Sequence, residues 1–255
     1  MTLTRNTGGA GGFTVGIERA VSRHSADQVW VMDDDTVPTP TALEELVAVA
    51  DRLPGARLLA SRVVWTDGRD HPMNTPRAWR LRSRRVDDAL SGVDGFAFRS
   101  ASFVSLLIPA ALVRGRGLPI ADYFLWNDDF EYSTRLVRGG VGVYCRRSVV
   151  EHRTKVFGDT AVDPGERFFF EVRNKIWMFR HSRSLSVPEK ALYGGATLLR
   201  WVRTYLRSPG REVLRSAFVR GVRAGFAAPP RPNSAALGNF GEVSDSLSAF
   251  EAGRA

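Results

Sequence analysis

Three adjacent carboxylates, Asp33, Asp34 and Asp35, stand directly after the apolar run QVWVM at 28–32. A short buried strand ending in three acids delivers them together to a sheet edge, where open α/β folds bind ligands. Adjacent like charges repel, so holding them together calls for a cation, and oxygen ligands suit Mg2+ or Mn2+ bridging a diphosphate. Asp35 could instead cap the helix that follows. A second acidic group, Asp128, Asp129 and Glu131 in WNDDFEY at 126–132, lies where a loop becomes a helix. Backbone N–H groups there would keep carboxylates ionised. An ionised carboxylate in a cleft is a usable general base toward a sugar hydroxyl, and helix capping is the alternative use. His152 closes the stretch VVEH, as a ligand or as a packing residue; His24, His71 and His181 read as solvent or packing residues. The segment GGAGG at 8–12 lacks the Lys-Ser/Thr of a phosphate loop and the spacing of a dinucleotide site. Asn6 before it could bond a base or ribose, or form a turn.

The elements that must position these residues alternate. After the glycine turn, FTVGIERAVSRH has Phe13, Val15, Ile17, Ala20 and Val21 near helical spacing, and Val29–Met32 is a strand. Thr39 before Pro40 predicts an N-cap opening a helix that Pro54-Gly55 ends, and residues 56–65 form the next strand. Residues 66–92 are turn-rich, with five Arg between Arg77 and Arg85, and predict a loop over a cleft. Two strands in GFAFRSASFVSLLIP, a helix from Ala110, a helix at DDFEYSTRLV and short strands at VGVYC and SVVEH complete an α/β pattern. From residue 164 the chain predicts three basic amphipathic helices to 228, followed by a small, polar, loose tail at 229–255.

The chain has 255 residues, 44% hydrophobic, and a formal charge of +9, which excludes global disorder. Residues 166–225 hold 13 basic and 4 acidic side chains, while residues 1–165 hold 21 and 20, so the excess sits in the helical segment. Such a segment points to an anionic partner, a membrane surface above all, or to a solvated helical face in an Arg-rich chain, since 33 of the 36 cations are Arg. No nucleic-acid motif accompanies the arginines, and nucleic acid is not an expected partner. The single Cys145 allows neither an internal disulfide nor a four-cysteine zinc site, and a reducing compartment follows. With no apolar run long enough to span a bilayer and no secretory leader at the start, the expectation is a cytoplasmic chain.

In order, NTGGAGGF, VWVMDDD, GLPIADYFLWNDDFEYSTRL and VVEH resemble the family 2 glycosyltransferases of GT-A fold, most closely the bacterial branch of galactofuranosyltransferases and rhamnosyltransferases. The resemblance covers about residues 5–180. It implies a Rossmann-like mixed sheet flanked by helices at 1–163, with the basic helical region at 164–228 as an extension. It further implies that Asp35 and His152 hold the divalent ion, Mn2+ or Mg2+. Asp33 and Asp34 then face the nucleotide-sugar donor, and Asn6, Gly8 and Gly9 form the donor-side loop.

By the same matching Asp129 is the catalytic base, with Asp128 and Glu131 shaping the acceptor site. Trp79, Trp126 and the arginines of 77–85 are candidates for acceptor contact, because aromatic faces stack on sugars and Arg holds pyrophosphate. The implied reaction is inverting transfer from UDP-galactofuranose or dTDP-rhamnose to a lipid-linked or polysaccharide cell-envelope acceptor, at the inner face of the plasma membrane. The family begins with strands that grip the nucleoside, upstream of the glycine loop. Only Met1–Arg5 precede Asn6, so the expectation is a domain lacking its first strands, with weak donor binding. The alternative is an impaired remnant serving as a partner- or membrane-binding module.

Overall fold

A computed structural model describes residues 2–79, 86, 90–157 and 163–253. In chain order the elements are α1 (Gly8–Ser22), β1 (Gln28–Met32), β2 (Thr36–Pro38), α2 (Ala42–Arg52), β3 (Ala56–Val64), β4 (Arg77–Ala78), β5 (Gly95–Ser100) and β6 (Ser105–Pro109). They continue as α3 (Ala110–Arg116), a 3-10 turn at Ala121–Tyr123, α4 (Asp128–Val137), β7 (Val141–His152) and a 3-10 turn at Gly165–Arg167. The chain ends in α5 (Phe168–His181), α6 (Val187–Arg207), α7 (Arg211–Ala227), α8 (Asn233–Ala236) and α9 (Glu242–Ala252).

The strands form one mixed sheet in the order β1-β6-β3-β7-β5-β4, with β2 pairing the end of β7. Period-two alternation assigns each strand residue to a face. Leu58, Ala60, Leu106 and Ile108 face the layer of α1, α3 and α4, where Val15, Ile17, Val113, Tyr132 and Leu136 are buried. Leu59, Leu107 and Val143 face α2 through Leu46. This is the α/β sheet with flanking helices that the resemblance implies.

Strand direction places the chemistry. β1 and β3 both run antiparallel to β6, and β3 runs parallel to β7, so β1, β3 and β7 point the same way. Their C-terminal ends therefore share one edge, which brings the acids after Met32 to the side of the sheet where β7 ends in His152.

Several expectations are corrected. The glycines are the first turns of α1, not a turn before it. Gly8 adopts φ +68°, and a Cβ there would lie 1.9 Å from the Phe124 carbonyl oxygen, so only glycine lets the helix start against that loop. Thr39 does not cap α2: its hydroxyl donates to the Val149 carbonyl at 3.0 Å, and the helix starts at Ala42. The two short strands expected at the end are one strand, β7, whose register against β3 shifts between Ser61 and Arg62, absorbing the polar Arg146–Ser148 step.

The tail is not loose. Leu237, Val243 and Leu247 enter the main core against α1, and Ser246 donates to Glu18 at 2.5 Å. Arg231 grips Asp122 with its guanidinium at 2.6 Å and its backbone N–H at 2.9 Å. Asn233 accepts from Ala121 N–H and donates to the Pro119 carbonyl, at 2.8 and 2.9 Å. The segment that leads to the acidic helix α4 is thus braced by residues near the end of the chain. Leu247→Ala should lower unfolding stability by about 2–4 kcal/mol in urea titration, the usual cost of emptying a buried leucine site. An unchanged midpoint would mean that the tail is not part of the fold.

Candidate active site

The pairing of β2 with the end of β7 closes the first half of the site. Thr36 pairs opposite His152 across β2 and β7, and Arg153 N–H donates to the Asp35 carbonyl at 2.9 Å. His152 Nε2 then lies 3.0 Å from Asp35 Oδ1 and 3.9 Å from Asp33 Oδ2. One ligand atom from each of Asp33, Asp35 and His152 falls within 4.8 Å of the others. Asn74, in the loop after β3, sets the histidine. Its Nδ2 donates to Ser102 Oγ at 3.3 Å, which leaves Oδ1 to accept from His152 Nδ1–H at 2.9 Å. Nε2 is thereby the ring nitrogen turned to the carboxylates, placed to join Asp33 and Asp35 in holding a cation. Two carboxylates and an oriented imidazole fit a divalent metal ion. His71 is buried beside this ring, 5.2 Å between centroids, and is the packing residue it was expected to be.

The second half is α4, presented by a strained loop. Phe124, Trp126 and Asn127 all adopt left-handed φ near +65°, namely +63°, +64° and +67°. Each such residue costs about 1 kcal/mol or more. The loop is held because fully buried Asn174 of α5 directs its Nδ2 at the carbonyls of Tyr123, Leu125 and Trp126, at 3.0, 2.9 and 2.8 Å. Arg173 adds bonds to the carbonyls of Asp122 and Tyr123 at 2.8 and 3.0 Å. Asn127 Nδ2 donates to Glu171 at 2.7 Å, and Glu171 in turn accepts from Arg200 and from Trp201 Nε1. The boundary expected at residue 163 therefore does not divide the site from an appendage, since α5 builds the site's floor.

Asp129 accepts from the Phe130 N–H at 2.6 Å and lines a small cavity, about 170 Å³, with Asn74, Arg77, Asn127, Lys175 and Arg200. Burial raises the Asp129 carboxyl above the ordinary carboxylate range, opposed by the Phe130 N–H and by Lys175. Asp128 is raised by burial and by the adjacent Asp129 charge. Asp33 is raised as well, first by burial, against the pull of His152. The expectation that helix N–H groups alone keep the α4 pair ionised is thus corrected, because desolvation outweighs them.

Not every sequence candidate joins the site. Glu131 is buried on another face of α4, in an ion pair with Arg135 at 2.8 Å, and accepts from Ser182 at 2.5 Å. It is engaged in structure rather than turned to the cavity. Asn6 Oδ1 takes the Gly8 N–H at 2.8 Å, the turn-forming use. Gly9, with Gly12, Asp33 and Asp34, lines a larger groove of about 680 Å³ beside α1 and β1. Gly8 lies against Phe124 instead. Trp126 is partly exposed on the strained loop, while Trp79 extends the β4 pairing through its N–H to the Ala97 carbonyl at 2.8 Å and does not line the Asp129 cavity. Of the five arginines, Arg77 lines it; Arg80, Arg82, Arg84 and Arg85 lie outside the described residues. Sequence reasoning missed Asn74, Asn174, Lys175 and Arg200. Lys175 alone left a signal, being one of three lysines in an Arg-rich chain and set in an apolar run.

The family model "Glycosyltransferase like family 2" matches residues 1–176. The chain is similar to galactofuranosyltransferase GlfT1 of Mycolicibacterium smegmatis, 30% identical over 142 residues, covering 54% of this chain and 47% of that protein. It is also similar to GlfT1 of Mycobacterium tuberculosis, 26% identical over 185 residues, covering 65% of this chain and 59% of that one. The chain thus spans about half the length of these relatives. Among solved structures, that of GalNAc-T7 with UDP, GalNAc and Mn2+ aligns with 90% of this chain and 46% of its own, at 15% identity and a TM-score of 0.47. The family match runs from the glycine-rich helix through the aspartate triplet, Asp129 and His152 into α5, and the chain belongs to the family 2 glycosyltransferases.

Proposed function

We propose that this chain carries out inverting, metal-dependent transfer of a sugar from a nucleoside-diphosphate donor, with Asp129 as general base. The observation that carries the reading is that Asn74, which hydrogen-bonds His152 of the Asp33/Asp35/His152 cluster, also lines the cavity of half-buried Asp129. Asp35 and His152 hold the ion, Mn2+ or Mg2+, with Asp33 beside them; when bound, it supplies positive charge against the leaving diphosphate. Asp34 and Gly9 border the groove assigned to the donor. Asp129 takes the proton of an acceptor hydroxyl as that oxygen attacks the anomeric carbon from the face opposite the diphosphate. The names of the similar proteins favour UDP-galactofuranose over dTDP-rhamnose, with a lipid-linked or polysaccharide cell-envelope acceptor.

The helical region supports a location on an anionic membrane surface. Among the described residues no helix is long and apolar enough to cross a membrane. On α6, however, Leu192, Leu198, Leu199, Val202 and Leu206 form one apolar arc, each more than half exposed, with Arg203 and Arg207 at its flank. Spacing of three to four residues keeps them on one side, the pattern of a helix lying in a bilayer interface.

Three outcomes are expected. Asp129→Asn should lower sugar transfer by about a thousandfold or more while metal-dependent donor binding, followed by calorimetry, persists; unchanged turnover rejects Asp129 as the base. Because Asp129 must be ionised to act, activity falls as pH drops through its raised pKa. The acid limb of kcat/KM should therefore lie above the ordinary carboxylate value of 3.8, mainly through burial. A limb at or below that value removes the buried-base reading. The protein should float with vesicles rich in anionic lipid, and the double substitution Leu198→Glu/Val202→Glu should release it. Equal flotation of the variant counts against the membrane assignment.

A further inference from the structure

Lys175 is 6% exposed, yet among the described residues no carboxylate or carbonyl takes a hydrogen bond from its ammonium. Its near neighbour is the ring of Phe130, 4.2 Å from Nζ to the centroid. Glu171 and Asp129 act on it as charges without a hydrogen bond to Nζ, and a largely buried charge that lacks hydrogen-bonded partners is costly. Lys175 lines the Asp129 cavity, and Arg77 and Arg200 line it too. Three cations thus border a small space that holds one carboxylate, Asp129, while Glu171 engages Arg200 from behind. Polar Thr75, Ser100 and Ser102 complete the wall.

We propose that Lys175, Arg77 and Arg200 form an anion subsite for a phosphate group carried by the acceptor, next to the sugar whose hydroxyl Asp129 deprotonates. The inference rests on the reading of Asp129 as base, because what lies beside the base is acceptor. The donor's diphosphate belongs instead with Asp35 and His152, at the edge of the sheet. A phosphate oxygen near Nζ supplies the charge-assisted hydrogen bond that the ammonium lacks among the described residues, and Arg77 and Arg200 present guanidinium forks suited to the same group. Burial and the neighbouring arginines hold the Lys175 ammonium down to about 8, against Glu171 and Asp129, which is the environment of a cation awaiting an anion. The subsite selects acceptors whose phosphate is close to the reacting hydroxyl. It disfavours neutral glycosides of the same sugar.

The test compares two acceptors with one sugar portion, a polyprenyl diphosphate-linked glycan and its neutral octyl glycoside. The wild-type protein should prefer the diphosphate form, and Lys175→Met should raise KM for that form by about tenfold or more relative to the octyl glycoside, the loss of one charge-assisted bond. Lys175→Arg should restore part of the preference. Arg77→Gln, at an exposed position, gives the same change in ratio without a buried substitution. An unchanged ratio in both variants overturns the proposal. A parallel binding measurement keeps it distinct from the transfer reading. In EDTA, inorganic pyrophosphate should bind the wild type and lose affinity in Lys175→Met, whether or not transfer is detected. If UDP binding in Mn2+ weakens as much as pyrophosphate binding in EDTA, the cations serve the donor and the acceptor subsite is rejected.

Discussion

The side-chain amide of Asn174 points at three carbonyls of a loop that contains three non-glycine residues at positive φ. Asn127 tolerates left-handed backbone, but Phe124 and Trp126 have no local reason to adopt it. The loop persists because its inward-turned carbonyls take hydrogen bonds from Asn174 and Arg173. The result is a fixed start for α4, with Asp129 at its first turn. Helix α5 is therefore as much a part of the site as the sheet, although it contributes neither Asp129 nor the carboxylates of the Asp33/Asp35 cluster.

The sheet imposes the complementary constraint. Three strands running in one direction bring the ends of β1 and β7 to a common edge, and the Thr36–His152 pairing fixes Asp35 against the imidazole. Carboxylates gathered so closely repel, and burial raises Asp33, Asp128 and Asp129 together. The structure offsets this with groups of separate origin: the His152 imidazole from the sheet, and the cations Arg77 from β4, Lys175 from α5 and Arg200 from α6. None of these is near the acids in sequence. A site of this kind is unstable as charge alone and stable only as an assembly, the usual condition of a functional cluster.

The basic helices have two faces with different work. Glu189 at the start of α6 receives Arg99 from β5 and both the N–H and the hydroxyl of Ser186. Burial pushes its carboxyl up, and the Arg99 and Ser186 bonds more than offset this, holding it at about 2. Trp201 faces α5 and α7, with Phe168 and Leu214. The opposite arc of α6 is apolar and exposed. The charge of 166–225 is thus shared between the Asp129 cavity, through Lys175 and Arg200, and the solvent side.

What the residues determined alone were the local features: the strand that ends in the aspartate triplet, the acidic first turn of α4, the amphipathic period of α5 to α7 and the ordered motifs that mark the family. These depend on neighbours within a few positions, where periodicity and capping chemistry act. The helical glycines of α1, the docking of residues 233–252, the turning away of Glu131 and the roles of Asn74, Asn174 and Lys175 were decided by tertiary structure. Position 8 must be glycine because Phe124 lies against it, and Leu247 is buried because of α1. Asn74 orients His152 across 78 positions of sequence. A polar side chain's role depends on which partner reaches it, and for these residues the partners are supplied by segments far along the chain.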